Sequence, residues 1–271
     1  MARRARSRRS KHRFTASTAD KHLLYQKAVQ SPEVDLALIR RIFERERGRP
    51  ARHLREDFCG TALLSATWVR LHREHTAEGF DIDPEPVAWG LAHNCDGVDA
   101  TRLHLHLKDV REPGQRAPDV RIAFNFSYWV FHTRSELVDY FRRAHASLAS
   151  DGLFLIDLFG GPEATNELEE RRRCGGFTYV WDQHRYWPGT GDYTCFIRFE
   201  FPDGTELKAF RYDWRFWHLG ELRDALVEAG FARVDTYFEG AGPKGDGDGV
   251  FRKGLRGENC ASWLAYLVAL R

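Results

Sequence analysis

Leu54-Arg55-Glu56-Asp57-Phe58-Cys59-Gly60-Thr61-Ala62, followed further along by Gly79-Phe80-Asp81-Ile82-Asp83, places an acid at the end of one apolar segment, then a small-residue turn, then a helix, then a second apolar segment ending in another acid. That is the layout of a nucleotide-type cofactor site in an open α/β sheet. The small turn lets backbone approach the cofactor, and the acid after the second strand accepts hydrogen bonds from a ribose. A dinucleotide turn would want glycine where Phe58 and Ala62 stand. A cofactor with a ribose but no pyrophosphate fits these residues better, and S-adenosylmethionine answers that description.

The stretch Glu56-Asp57-Phe58-Cys59-Gly60-Thr61-Ala62 resembles the first motif of class I S-adenosylmethionine-dependent methyltransferases, commonly D-x-G-C-G-T-G. Glu56 falls on the acidic position and Cys59-Gly60-Thr61 match as written, while Phe58 and Ala62 replace two glycines. The resemblance runs over about residues 51 to 161, through Phe124-Asn125-Phe126-Ser127 and Gly152-Leu153-Phe154-Leu155-Ile156-Asp157. It implies S-adenosylmethionine as cofactor, with S-adenosylhomocysteine as product, and a small-molecule acceptor. On the cofactor side it implies Asp81 and Ile82 at the ribose, Asp109 and Val110 at the adenine, and Phe58, Cys59, Gly60 and Thr61 near the methionine. Glu56 is expected at the ammonium, and Arg55, Tyr25 or Gln26 at the carboxylate.

The 271 residues suffice for a large core, and no apolar run approaches the roughly 18 residues of a membrane span. Five cysteines without C-x-x-C spacing argue for reduced thiols in a cytoplasm, not a disulfide framework or zinc site. The net charge of +2 hides an asymmetry, because residues 1–13 hold seven Arg and Lys and no acid. Removing those seven from the 41 basic residues leaves 34 against 39 acidic ones, a mildly acidic body and a poor footprint for nucleic acid. The tail, taken as residues 1–19, reads as a disordered basic leader, through which RNA contact stays open. A homodimer stays open as well.

Helical spacing of Leu23, Leu24, Ala28, Val34, Leu36, Ile39 and Phe43 predicts a helical cap over residues 20–50, restarted at Ser31-Pro32-Glu33. Alternating apolar segments and amphipathic helices over 51–161 form the cofactor-binding core, and 218–271 returns to it. The expected fold is α/β, a Rossmann-like, mostly parallel seven-stranded sheet with helices on both faces. Between lies 162–217, expected to open with a short charged helix at Ala164–Arg173 and continue as an aromatic, antiparallel β-rich lid with a hairpin at Pro202-Asp203-Gly204. Residues 240–257 read as a glycine-rich loop, with Asp246-Gly247-Asp248-Gly249 a turn and not a calcium site.

Candidates for the transfer itself are Asn125 and Phe126 at the cofactor's methyl end, and Tyr128, His132 and Arg215 toward the acceptor. Asn125-Phe126-Ser127-Tyr128 stands where relatives that methylate amides and bases carry N-P-P-Y. His132 suits a base near neutral pH, though a structural histidine is the commoner outcome. In the lid, Arg211, Asp213 and Arg215 alternate with Phe210, Tyr212, Trp214 and Phe216. The aromatic face is expected to pack and the charged face to meet substrate; an aromatic cage for an ammonium group is a further use of the same rings. No metal site is evident: His104 and His106 share a strand face without a third ligand. An RNA or protein methyltransferase, and a non-catalytic binding module on the same fold, are the alternatives.

Overall fold

The computed structural model describes residues 14–242 and 247–271. The basic run at 1–13 and Asp246 lie outside the described residues. The described chain orders itself as α1 (Lys21–Val29), α2 (Pro32–Arg47), β1 (His53–Asp57), α3 (Leu63–Leu71), β2 (Thr76–Asp81), α4 (Pro84–His93), β3 (Leu103–Leu107), β4 (Val120–Ala123), α5 (Arg134–Ser147) and β5 (Leu153–Gly160). Then follow β6 (Leu168–Arg173), β7 (Thr178–Trp187), β8 (Asp192–Glu200), β9 (Glu206–Arg215), α6 (Leu219–Glu228), β10 (Arg233–Ala241), β11 (Gly247–Lys253) and β12 (Trp263–Leu270).

The main sheet has the order β11-β10-β12-β5-β4-β1-β2-β3. β5, β4, β1, β2 and β3 run parallel, and β12, β10 and β11 add antiparallel pairings at one side. Strict alternation feeds two cores. Phe154, Ile156 and Leu158 of β5 join the face covered by α5 and α6, while Leu153 and Leu155 join the face covered by α2 and α3. Such two-sided burial explains the near-continuous apolar runs of these strands. A second sheet, β6-β7-β8-β9, is wholly antiparallel.

Four expectations are corrected. The main sheet holds eight strands, because residues 247–253 of the glycine-rich stretch pair with β10 as β11. Gly247 and Gly249, expected in a turn, therefore lie in a strand. Residues 168–173 form β6, not a helix. Their charges pair across the sheet, Glu169 with Arg198 and Arg171 with Glu200, and this cross-strand pairing overrides helical propensity. The ordered chain also begins before residue 20: Phe14 is buried edge-on against Phe177, their ring centroids 5.9 Å apart.

Beneath the first turn sits a buried charge network. Asp57 Oδ1 accepts from Arg55 Nε at 2.8 Å, and Oδ2 accepts from Arg121 Nε at 2.6 Å and from the Tyr140 hydroxyl at 2.7 Å. The guanidiniums of Arg55 and Arg121 both donate to the Val110 carbonyl, at 2.7 and 2.6 Å. Arg55 also lies over the Phe80 ring, 3.7 Å from its centroid. Three charges at 1% exposure are tolerable only because they satisfy one another. Asp57→Ala would leave two guanidiniums buried without their anion. It is expected to lower the unfolding free energy by about 3–5 kcal/mol in urea titrations, and an unchanged midpoint would contradict the account.

Candidate functional site

The C-terminal ends of β1 and β2 carry the turn identified in the sequence. Phe58, Gly60 and Ala62 adopt φ of 56°, 51° and 53°. The turn thus keeps a left-handed shape that glycine adopts freely, at a cost of roughly 1–2 kcal/mol for each side-chain-bearing residue. Phe58 offsets part of this by packing its ring against Phe131 and Tyr140, centroids 6.2 and 6.0 Å away. On the helix facing the turn, Gly90 has no freedom to change: a Cβ there would stand 2.3 Å from the Thr61 carbonyl oxygen.

Around the turn lies a cleft of about 400 Å³. Glu56, Phe58, Cys59, Gly60, Thr61 and Asp81 line it, as does Tyr25 from α1. Asp81 is held by backbone, its Oδ2 accepting from Gly60 N at 2.8 Å and its Oδ1 from Asp83 N at 2.9 Å. Glu56 Oε2 accepts from the Ser65 backbone and hydroxyl. Burial drives the Glu56 carboxyl up to about 7, with Asp81 and Asp35 adding repulsion against the Ser65 bonds. Burial likewise raises Asp81 and the Cys59 thiol, so Cys59 is an inert small residue. The Oε1 atom of Gln30, another lining residue, is buried without a hydrogen-bond partner among the described residues.

Helix α1 roofs this cleft. Gln26 Nε2 donates to Thr61 Oγ1 at 2.9 Å, Trp89 Nε1 donates to Asp20 Oδ2 at 2.6 Å, and Lys21 and His22 both reach Glu85. Gln26 therefore ties the roof to the turn.

A second cavity, of about 460 Å³, opens against the antiparallel sheet β6-β7-β8-β9. Its walls are Phe126, Phe159, Tyr179, Trp181, Tyr212 and Trp214. Tyr25, Asn125, Tyr212 and Trp214 line both spaces. The partition between the two is the loop after β4. Asn125 and Phe126 are consecutive left-handed residues, φ 57° and 59°, and their N–H groups donate to the two oxygens of Asp157 at 2.8 and 3.0 Å. Asp157 is buried within β5, and desolvation raises its carboxyl to about 7 against those backbone donors.

Other expected residues stand elsewhere. Arg55 faces the buried network, not the cleft. Tyr128 is fully buried, its hydroxyl donating to the Asp157 carbonyl at 2.8 Å. His132 is exposed and paired with Asp192 at 3.1 Å. Arg215 donates to the His132 carbonyl and lies over Trp217. These three acceptor-side candidates line neither cavity: the chain turns away after the left-handed pair, and Arg215, at the end of β9, follows His132. Asp109 is bracketed by Arg111, Val110 is buried, and Ile82 is 74% exposed beside Asp81; none of the three lines either cavity. In β9 the aromatic face turns to the cavities, while Arg211 and Asp213 pair with each other in solvent. Asp157 and Trp181 were not singled out for the site, whereas Gln26 was expected at the carboxylate and Trp214 on the aromatic face of the lid. Asp157 had a signal, a lone acid inside the apolar run of the fifth strand.

No known family model and no curated protein matches the sequence. Among solved structures, CalS10, an amino pentose methyltransferase from Micromonospora echinaspora involved in calicheamicin biosynthesis, superposes with a TM-score of 0.65 at 17% identity, over 92% of this chain and 95% of that one. The CcbJ methyltransferase from Streptomyces caelestis gives 0.67 at 14%, over 90% and 97%. DesVI from Streptomyces venezuelae gives 0.63 at 17%, over 92% and 95%. The chain therefore has the α/β fold of these methyltransferases across nearly its whole length.

Two of the raised carboxyls, Glu56 and Asp157, set a pH dependence. Glu56 and Asp157 titrate from ordinary values of 4.5 and 3.8 when unfolded, but hold their protons to about 7 when folded. Between those values the unfolded chain has released protons that the folded chain keeps, so rising pH favours unfolding. His75 and His145, lowered by burial, act in the opposite sense. The double variant Glu56→Gln, Asp157→Asn is therefore expected to lose less Tm than the parent between pH 5 and 7.5. Parallel Tm profiles in scanning calorimetry would contradict these two assignments.

Proposed function

We propose that this protein is an S-adenosylmethionine-dependent methyltransferase that moves a methyl group to nitrogen or oxygen of a small-molecule acceptor. The observation that carries the reading is the pair of cavities sharing one wall: an acid-rich cleft on the nucleotide turn opens beside a second cavity with aromatic walls, with Asn125 in both linings. The cleft suits the cofactor's chemistry. Asp81 offers a carboxylate to ribose hydroxyls, and Glu56 and the orphaned Gln30 Oε1 offer acceptors to an ammonium group. Without glycine at 58 and 62, nothing in the turn favours a pyrophosphate. The solved methyltransferases that share the fold support the same class of reaction.

When bound, the cofactor supplies an electrophilic methyl on a sulfonium. The chain's task is alignment: acceptor and methyl carbon must meet in line at about 3–3.5 Å, and positioning accounts for much of the acceleration. Asp157 holds the partition by gripping the amides of Asn125 and Phe126, so the wall between donor and acceptor is rigid. Helix α1 and the lid sheet exclude water from the two sides. Residues 162–217 are thus the substrate lid, 20–50 the cap, and 51–161 with 218–271 the core. A cavity of this size, roofed on one side by the lid, favours a small acceptor over RNA or a protein chain.

Incubation with S-adenosylmethionine carrying a labelled methyl, a panel of small amines and alcohols, total RNA and unfolded protein separates the readings. The expected result is label in a small-molecule fraction with stoichiometric S-adenosylhomocysteine. Asn125→Ala is expected to reduce that turnover about 100-fold. Label in RNA or protein alone would contradict the small-molecule reading.

A further inference from the structure

Seven aromatic residues line the chamber beneath the lid, alongside aliphatic, polar and charged side chains. Tyr212 and Trp214 stack with centroids 4.4 Å apart and planes at 26°. Trp181 stands 6.2 Å from each of them. Phe159 closes a further side, edge-on to Trp181 at 6.4 Å and to Phe126 at 4.8 Å. Packing alone does not account for this arrangement, since these rings are only partly buried, apart from Trp214, and line one open space of about 460 Å³. Ring faces present negative quadrupole potential, so a box of them attracts a cation and gives a neutral guest nothing comparable.

The charged residues at the chamber mouth point the same way. Arg171 is neutralised by Glu169 and Glu200. Arg172 donates to the Ala28 carbonyl and lies over the Tyr179 ring. Glu170, between them and paired in register with Trp181, is exposed, with no ion pair or side-chain hydrogen bond among the described residues. Two charges at the mouth thus have no ion pair among the described residues: Arg172, which is engaged by a carbonyl and a ring, and Glu170, which is left free to meet an incoming cation.

We infer that the acceptor is an amine that enters the chamber as a cation, held by the faces of Trp181, Tyr212 and Trp214 and drawn in by Glu170. The inference rests on the methyltransferase reading. Balance requires that the ammonium first give a proton to solvent at the mouth, since only the free lone pair can attack. The nitrogen then bonds the methyl carbon as the carbon–sulfur bond breaks, its electron pair passing to sulfur. Sulfur becomes a neutral thioether, and the positive charge now sits on the methylated nitrogen, where the same rings stabilise it until a proton leaves to solvent.

Choline and its neutral isostere 3,3-dimethylbutan-1-ol have the same shape and differ in charge, and titrating each into full-length protein saturated with S-adenosylhomocysteine tests the inference. Choline is expected to bind at least about tenfold more tightly than the isostere. Trp181→Leu, conservative in burying an apolar side chain, is expected to remove most of that preference, and Glu170→Gln to weaken choline with little effect on the alcohol. Equal binding of the two probes, stronger binding of the alcohol, or no binding of either would overturn the cation chamber. Heat from S-adenosylhomocysteine in the same cell reports on the cofactor cleft separately. A heat without choline preference removes this inference alone, and no heat removes the methyltransferase reading itself.

Discussion

Arg55, Asp57 and Arg121 share the sheet interior under the nucleotide turn, and every part of the site refers back to them. Asp57 ends β1, Arg121 lies on β4, and both guanidiniums hold the carbonyl of Val110 in the segment after β3. One carboxylate therefore joins three elements of the cofactor end of the sheet. The arrangement costs desolvation that an apolar core would not. In return the end of β1 has a single position, and the strained turn from Phe58 to Ala62 starts from it.

A second carboxylate does comparable work two strands away. Asp157 receives the two amides of the Asn125-Phe126 pair, fixing a backbone that neither residue would adopt alone. The cleft and the aromatic chamber meet at this pair. The rigid core thus determines the wall, while α1 and the lid sheet close over it from opposite sides.

Much of this was legible in the sequence. The alternation over residues 51–161 gave the parallel core because period-2 burial and glycine breaks leave plain marks, and the acids at 56 and 81 stood at strand ends where a nucleoside site needs them. Residues 168–173 misled because Glu and Arg at helical spacing also suit cross-strand pairing, and only the charges of β8 decide between the two. Arg55 misled for a related reason. A strand buried on both faces does not declare which side of the sheet an arginine serves, and its partners at 57, 110 and 112 appear only in three dimensions. Tyr128 and His132 depended on the path of the loop after β4, where two left-handed residues without glycine carry no sequence signal, and Arg215 on β9 is tied to that loop through the His132 carbonyl. The lid's alternation was visible, but which face met the site was settled by the depth of the chamber.

The central claim is that the cleft on the Phe58–Ala62 turn takes a nucleoside bearing a cation, not a dinucleotide. Isothermal titration with S-adenosylmethionine and NADH, on the parent and on Asp81→Ala, measures this directly. The account predicts a dissociation constant on the order of micromolar for S-adenosylmethionine, at least about tenfold weaker in the variant, and no heat with NADH. Binding of NADH alone, or S-adenosylmethionine binding that ignores the loss of Asp81, would contradict it.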